Sequence, residues 1–243
     1  MPEIEHHRTF ETYEATVVKV EQLTPRVHGI RFALPPGKLI HFKAGQYIQV
    51  FIPTPEKVRR TSYSIASAPQ EGDHVDLCVT LVKDGVSSPF LHHLVEGNKL
   101  QVMGPLGKFT LPDELPRDVV FVATGSGIAP FRAMIRDLVA RQVPRTIHLV
   151  YGNRFVDDII YCQEWEELVT KAPNFKALFT LSQPDESWKG KKGYVQDAVL
   201  DFVPDLPGKD IYICGLVRMI DGVAAKLQSA GVPKEQIHFE RYD

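Results

Sequence analysis

Along the first half of the chain, apolar positions recur at every second residue. Val75, Leu77, Val79 and Leu81 alternate with His74, Asp76, Cys78 and Thr80, the period of a strand with one face buried. Residues 13–23 and 26–34 alternate similarly, and residues 45–52, GQYIQVFI, are rich in the aromatic and branched side chains that suit a pleated surface. A further strand is expected over 99–103, after which Gly104-Pro105-Leu106-Gly107 turns the chain. One short helix is expected over 90–95, with Ser88 as its N-cap and Pro89 in its first turn. Several strands at such short intervals predict a small antiparallel barrel.

Beyond residue 119 the rhythm changes. Apolar runs at 119–123, 146–151, 176–181, 210–214 and 236–239 are separated by helical stretches at 131–141, 164–171, 194–202 and 217–230. Unbroken runs suit strands covered on both faces, and strand–helix alternation predicts a parallel sheet flanked by helices. The charged stretch LPDELPR, residues 111–117 with two prolines, is the expected linker. The fold class expected is therefore two-domain, β plus α/β. The antiparallel barrel occupies residues 1–112, and a five-stranded parallel Rossmann-like domain occupies 113–243.

Composition narrows the classes. A chain of 243 residues, 44% hydrophobic and 24% charged, has room for two ordinary domains and is not disordered in character. A net charge of −2 gives no bulk attraction to nucleic acid or to an anionic membrane. No apolar run reaches the roughly 18–20 residues that span a bilayer. The N-terminal MPEIEHHRTFETYE is polar and acidic, without the apolar segment of a secretory signal, so a cytoplasmic protein is expected. Cys78, Cys162 and Cys214 lie far apart and suggest neither a disulfide framework nor a metal or iron–sulfur site.

The chemistry concentrates in a few stretches. Residues 119–132, VVFVATGSGIAPFR, read as strand, glycine turn and helix, with Pro130 near the first helical position. Such an opening aims backbone N–H groups and a helix dipole at an anion. The G-x-G-x-x-G fingerprint is incomplete because Pro130 takes the third glycine's place, and a tight turn uses two glycines for conformational reasons alone. A hydrolase elbow G-x-S-x-G is absent here, since Thr124 precedes Ser126 by two positions. GPLGK is no P-loop, having two residues between Gly104 and Gly107 where four are needed. In RRTSYSIASAP, residues 59–69, an aromatic beside hydroxyls offers a planar ligand a stacking face and a donor; the same residues also suit an ordinary strand.

RRTSYSIAS, the segment VKDGVSS before a helix, GPLGKF, ATGSGIAPFR and Cys214-Gly215 follow one another as in the ferredoxin–NADP reductase superfamily, which the chain resembles from about Tyr13 to Asp243. The resemblance implies a flavoprotein reductase with a six-stranded flavin-binding barrel and a nicotinamide-nucleotide domain. It implies FAD and NADP(H) or NAD(H) as cofactors, and hydride transfer between NAD(P)H and FAD. Single electrons would then pass to or from a separate carrier, a ferredoxin, a flavodoxin or an oxygenase component, because no CxxxxCxxC cluster motif is present. No nucleic-acid or membrane partner is expected. Two other readings stay open: an electron-transfer component of a multicomponent oxygenase or larger complex, and a non-enzymatic nucleotide-binding module.

Carried over position by position, the resemblance implies that Tyr63 stacks on or edges the flavin and that Ser64 sits near its N5. Ile65 and Ala66 lie against the ring. The family's pyrophosphate arginine, two residues before the tyrosine, is Thr61 here, and a one-residue bulge would deliver Arg60 instead. Val82, Gly85, Ser87 and Ser88 form the second flavin segment, with the following helix N-terminus. Gly125, Ser126 and Gly127 face the nicotinamide nucleotide's pyrophosphate, Thr124 lies near the nicotinamide, and Cys214 with Gly215 contacts it without acting as a nucleophile. Glu240 and Tyr242 match a C-terminal Glu-x-Tyr with Asp243 as one extra residue. Tyr242 would cover the flavin and Glu240 would relay a proton. Asn153 and Arg154 end the second parallel strand without an acidic residue and Ser182 follows the third. With Lys189, Lys191 and Lys192 nearby, these lean slightly to NADPH.

Overall fold

The computed structural model describes residues 11–242. Most of the N-terminal stretch read for a secretory signal, and Asp243, lie outside the described residues. The first sheet comprises β1 (Thr12–Thr24), β2 (Val27–Ala33), β3 (Tyr47–Pro53), β4 (Val58–Ser64), β5 (His74–Thr80) and β6 (Lys99–Leu106). Its order is β4-β3-β6-β1-β2-β5, antiparallel throughout. The Ala66 N–H donates to the Asp76 carbonyl at 2.8 Å, drawing the β4 and β5 edges together, so the sheet curls as a barrel requires. The alternating apolar set, including Phe32, Ile48, Val50, Ile52 and Leu77, fills the interior.

The short helix α1 spans Ser87–His92, starting and ending three residues before the expected stretch. Ser88 is not its N-cap. Its hydroxyl accepts the Val82 N–H at 2.9 Å and so closes the preceding loop, while Val86 takes the cap position without a side-chain bond.

The second sheet comprises β7 (Val119–Thr124), β8 (Ile147–Asn153), β9 (Phe175–Leu181), β10 (Lys191–Lys192), β11 (Asp210–Gly215) and β12 (Ile237–Arg241). It is parallel, in the order β10-β9-β8-β7-β11-β12. Five strands match the apolar runs. The sixth is a two-residue edge pairing of lysines, which no hydrophobic pattern announces. The flanking helices are α2 (Ile128–Ala140), α3 (Cys162–Lys171), α4 (Val195–Phe202) and α5 (Val217–Ser229). The chain runs outward from β7 through β8 and β9, then returns to place β11 on β7's other side. The carboxyl ends of β7 and β11 therefore form the switch point at which open α/β sheets hold ligands.

The two halves share a core. Ala44, Ala66 and Cys78 of the barrel pack in one apolar cluster with Phe131, Met134 and Trp165 of the second half. Among the described residues, no helix is long and apolar enough to cross a membrane.

Candidate active site

The site forms where the end of β4 meets the switch point. Tyr63 is half-buried, and burial pushes its phenol up to about 12. Ser64 is only 6% exposed, and Ile65 and Ala66 are fully buried behind it. On the other side, β12 pairs with β11 so that Glu240 stands opposite Cys214 and Arg241 opposite Gly215. The Tyr242 N–H then donates to the Gly215 carbonyl at 3.0 Å, fixing the chain end against β11. From there the Tyr242 hydroxyl reaches the barrel and donates to Ser64 Oγ at 2.6 Å. Ser64 Oγ in turn donates to Glu240 Oε2 at 3.4 Å.

Electrostatics in this cluster follow from desolvation. Burial pushes the Glu240 carboxyl up to about 7, and the hydrogen bond from Ser64 only partly opposes it. Burial also raises the Cys214 thiol well above its ordinary value, with Glu240 adding to the rise and the Tyr242 hydroxyl opposing it. The Tyr242 phenol is raised well up by burial and by its neighbour Cys214. Cys214 is therefore a neutral apolar contact rather than a thiolate nucleophile. Ser64, Cys214, Glu240 and Tyr242 thus meet at one place as protonated groups, lying up to 178 positions apart in sequence.

The glycine turn packs directly beneath this cluster. Gly125 sits at φ +54° facing open space, and its carbonyl accepts the buried Tyr151 hydroxyl at 2.9 Å. At Gly127 a Cβ would stand 2.3 Å from the Cys214 carbonyl oxygen, so only glycine lets the turn rest on β11. At Gly215 a Cβ would come within 2.6 Å of Thr124 Oγ1. Thr124 and Ser126 are half-buried at the same edge.

The second barrel segment is placed differently from expectation. The Gly85 N–H closes a turn onto the Val82 carbonyl at 2.9 Å, and the Val82 side chain is exposed. Ser88 is spent on the Val82 backbone. Ser87 Oγ lies 2.7 Å from Thr61 Oγ1, so these two hydroxyls are the polar pair on this face. α1 is six residues long, with no acidic residue in its first turn.

The bulge expected to deliver Arg60 is not formed. The β3–β4 register runs without a shift from Tyr47 opposite Ser64 to Pro53 opposite Val58, so there is no bulge. Alternation puts Arg59, Thr61 and Tyr63 on one face and Arg60 on the other. The Arg60 guanidinium lies over the Phe51 ring, 4.8 Å from its centroid. Arg59 shares a cleft with Lys57, Val58, Arg60 and Thr61.

At the carboxyl ends of β8 and β9, the Ser182 N–H donates to the Asn153 carbonyl at 3.0 Å and the Gln183 N–H to the Arg154 carbonyl at 2.9 Å. These bonds gather Asn153, Arg154 and Ser182. Lys192 pairs with Leu181 at the same edge and is exposed. Lys191 is held by Asp201 at 2.6 Å and Lys189 by the Glu186 carbonyl at 3.2 Å, so both are engaged elsewhere.

Two residues escaped sequence reasoning. Tyr151 pins the glycine turn; its signal was a polar-tipped ring ending an otherwise apolar strand. Arg132 is buried between the halves, and its signal was a cation close after the apolar start of a core-facing helix.

A family model described as Oxidoreductase FAD-binding domain matches residues 14–111, and one described as Oxidoreductase NAD-binding domain matches residues 121–225. The ferredoxin–NADP reductase B of Sorangium cellulosum (strain So ce56) is 38% identical over 240 residues, covering 96% of this chain and 98% of that protein. The phenol hydroxylase P5 protein of Acinetobacter pittii (strain PHEA-2) is 34% identical over 234 residues; 95% of this chain spans 65% of that longer protein. The crystal structure of the Amycolatopsis cytochrome P450 reductase GcoB is similar with a TM-score of 0.88 at 25% identity, covering 96% of this chain and 70% of that one.

Proposed function

The chain belongs to the oxidoreductase family built from an FAD-binding and an NAD-binding domain, and from that premise we propose that it is a flavoprotein reductase linking NAD(P)H to a one-electron carrier protein. FAD, when bound, supplies the chemistry, accepting two electrons as a hydride from the reduced nicotinamide and passing them on singly. The residues fit such a group: an aromatic and a hydroxyl on an apolar wall, with a cleft along β4 lined by Lys57, Arg59 and Arg60 for phosphate charge.

The observation that carries the reading is the 2.6 Å bond from Tyr242 to Ser64, which joins barrel and parallel sheet at the switch point. Tyr63 would offer a bound flavin a stacking face, Ser64 a hydroxyl, and Ile65 and Ala66 the wall behind it. Arg59, Thr61 and Ser87 would hold the diphosphate in place of Arg60. Gly125, Ser126 and Gly127 receive the nicotinamide nucleotide's diphosphate, while Thr124, Cys214 and Gly215 border its ring. Tyr242, held to Ser64 and to the Gly215 carbonyl, would cover a bound flavin ring and keep water from it. Glu240, protonated up to about pH 7, exchanges a proton through Ser64.

The working division is residues 1–112 for FAD and 113–243 for the nicotinamide nucleotide. Arg154, Lys192 and Ser182 favour a 2′-phosphate and hence NADPH, the nearby Asp185 carboxylate being engaged by the Ser187 hydroxyl. The carrier is a ferredoxin or flavodoxin, and the site of action is the cytoplasm. Similarity to the phenol hydroxylase P5 protein supports a second reading, service to an oxygenase component. Reduction assays against each class of acceptor separate the two. The primary test is an anaerobic spectrum of the FAD-loaded protein titrated separately with NADH and NADPH. Bleaching at lower NADPH than NADH is expected. Failure to retain FAD, or a flavin that neither nucleotide bleaches, refutes the proposal.

A further inference from the structure

Arg132 sits in the second turn of α2 and is only 8% exposed. Its Nε donates to both carboxylate oxygens of Glu164, at 3.0 and 2.8 Å. Its Nη1 donates to the Ala66 carbonyl at 3.0 Å and to Asp76 Oδ2 at 3.3 Å. The guanidinium lies over the Tyr161 ring, 4.1 Å from the centroid. Glu164 and Tyr161 belong to the parallel-sheet half, Ala66 and Asp76 to the barrel. Asp76 is itself gripped by Arg31 at 2.7 and 2.9 Å, so the barrel side of the contact is stiff.

Buried ion pairs are a poor means of adding stability, because desolvation offsets most of their attraction. Apolar packing already joins the halves here, through Ala66, Cys78 and Phe131 among others. What the guanidinium adds is direction. Its planar fork meets a carboxylate and a particular backbone carbonyl together, a geometry that an ammonium cannot reproduce. That carbonyl is two residues beyond Ser64, roughly 6–7 Å along extended chain. On the other side Arg132 lies five residues past Gly127, about 7.5 Å along a helix. Both ends of the site are thus tied to one side chain through stiff segments.

We infer that Arg132 is a positioning residue for the transfer between the two bound nucleotides: it locks the segment from Tyr63 to Ala66 against α2, so that Ser64 and Cys214 present flavin and nicotinamide in a single registry. The inference rests on the reductase reading. Misplacement by about 1 Å is enough to cost on the order of a hundredfold in rate.

Anaerobic stopped-flow reduction of the FAD-loaded protein by NADPH separates the limiting rate from the nucleotide dissociation constant. Wild type comes first: no reduction by NADPH or NADH defeats the reductase reading itself, before any variant is compared. Given a reducible wild type, Arg132→Lys should lower the limiting rate at least about tenfold and change the dissociation constant less than about threefold. The visible circular dichroism of the bound flavin should change as well. A folded, FAD-loaded Arg132→Lys with wild-type limiting rate overturns the inference. Should that variant fail to fold, Glu164→Ala, at a side chain 27% exposed, frees the fork from one side. It should lower the limiting rate about threefold or more at an unchanged dissociation constant, and an unaltered rate overturns the inference equally.

Discussion

Replacing Glu240 with glutamine should stabilise the protein increasingly as pH rises. Burial lifts the Glu240 carboxyl from its ordinary 4.5 to about 7, so the folded chain keeps a proton that the unfolded chain releases. Stability from such a group is complete below the unfolded value and is lost as pH climbs through the folded one. With roughly 1.36 kcal/mol per unit, Glu240 alone withdraws about 2.5 kcal/mol between pH 5 and pH 8. His148 works in the opposite sense. It is 3% exposed, and burial lowers its imidazole from 6.5 to about 4, with Lys209 and Lys176 adding to the fall. Its contribution is present above the unfolded value and is lost on acidification, which amounts to a gain of about 2 kcal/mol from pH 5 to pH 8. The two slopes nearly cancel, so a wild-type profile alone decides nothing. The informative quantity is the difference between Glu240→Gln and wild type, from urea unfolding of flavin-free protein followed by circular dichroism across that range. The variant's advantage should grow by about 2–3 kcal/mol, most of it below pH 7. A difference flat to within about 0.5 kcal/mol would mean that the carboxyl is not desolvated, and the protonated cluster around Ser64 would have to be abandoned.

The same urea series on His148→Leu should shift by about 2 kcal/mol in the variant's favour on going from pH 8 to pH 5; no shift would place a charged imidazole in the fold. Gly127→Ala sets a Cβ 2.3 Å from a backbone oxygen that cannot yield, and should cost at least about 2 kcal/mol in thermal or urea unfolding. Gly125→Ala meets open space and only the left-handed φ, so about 1 kcal/mol is expected, and equal costs at the two glycines would contradict the packing of the turn on β11. In FAD titrations of apoprotein, Arg59→Ala should weaken binding about tenfold, the worth of one charge-assisted hydrogen bond, and Arg60→Ala less than about twofold. The reverse order would show that the strand-face assignment is wrong.

The division into barrel and parallel sheet was legible because each carries its own period: alternation at 74–81 and unbroken apolar runs from 119 onward. Elements without a hydrophobic signal were not. β4 begins Val58-Arg59-Arg60, all exposed, and is a strand because β3 offers its edge, not because its own pattern demands one. β10 is two lysines held by β9. Ser88 was misread as a cap because the competing acceptor role, toward the Val82 N–H, lies outside the helix. The bulge proposed for Arg60 failed for a similar reason. Register is a property of two strands, and one sequence window cannot fix it. The meeting of Ser64 with Tyr242 depends on the parallel register of β11 with β12 and on the packing of two sheets, and only family resemblance brought those residues together in advance. Arg132 ends the ATGSGIAPFR motif, but nothing in that motif assigns it a partner. Its role depends on a carbonyl of the other half.

The protonation pattern constrains what the site can bind. A hydroxyl, a thiol, a phenol and a carboxyl raised to about 7 converge with no cation among them, and burial dominates the shift of each group that titrates. Such a surface is a poor place for a localised charge and a good one for flat, uncharged rings, because a neutral ring gives up little hydration on entering it. The cations lie at the margins instead, Arg59 along β4 and Arg154 with Lys192 at the ends of β8 and β9. A ligand that matches this distribution carries its charge on phosphates at a distance from an apolar reacting end. Two dinucleotides meeting ring to ring satisfy that requirement, and a compact anion does not. The proposed function gives Glu240 a use that offsets its cost in stability near neutral pH. It is the one group in the cluster whose proton is exchangeable near neutrality, and a transfer that adds a hydride to one ring needs a proton to follow it.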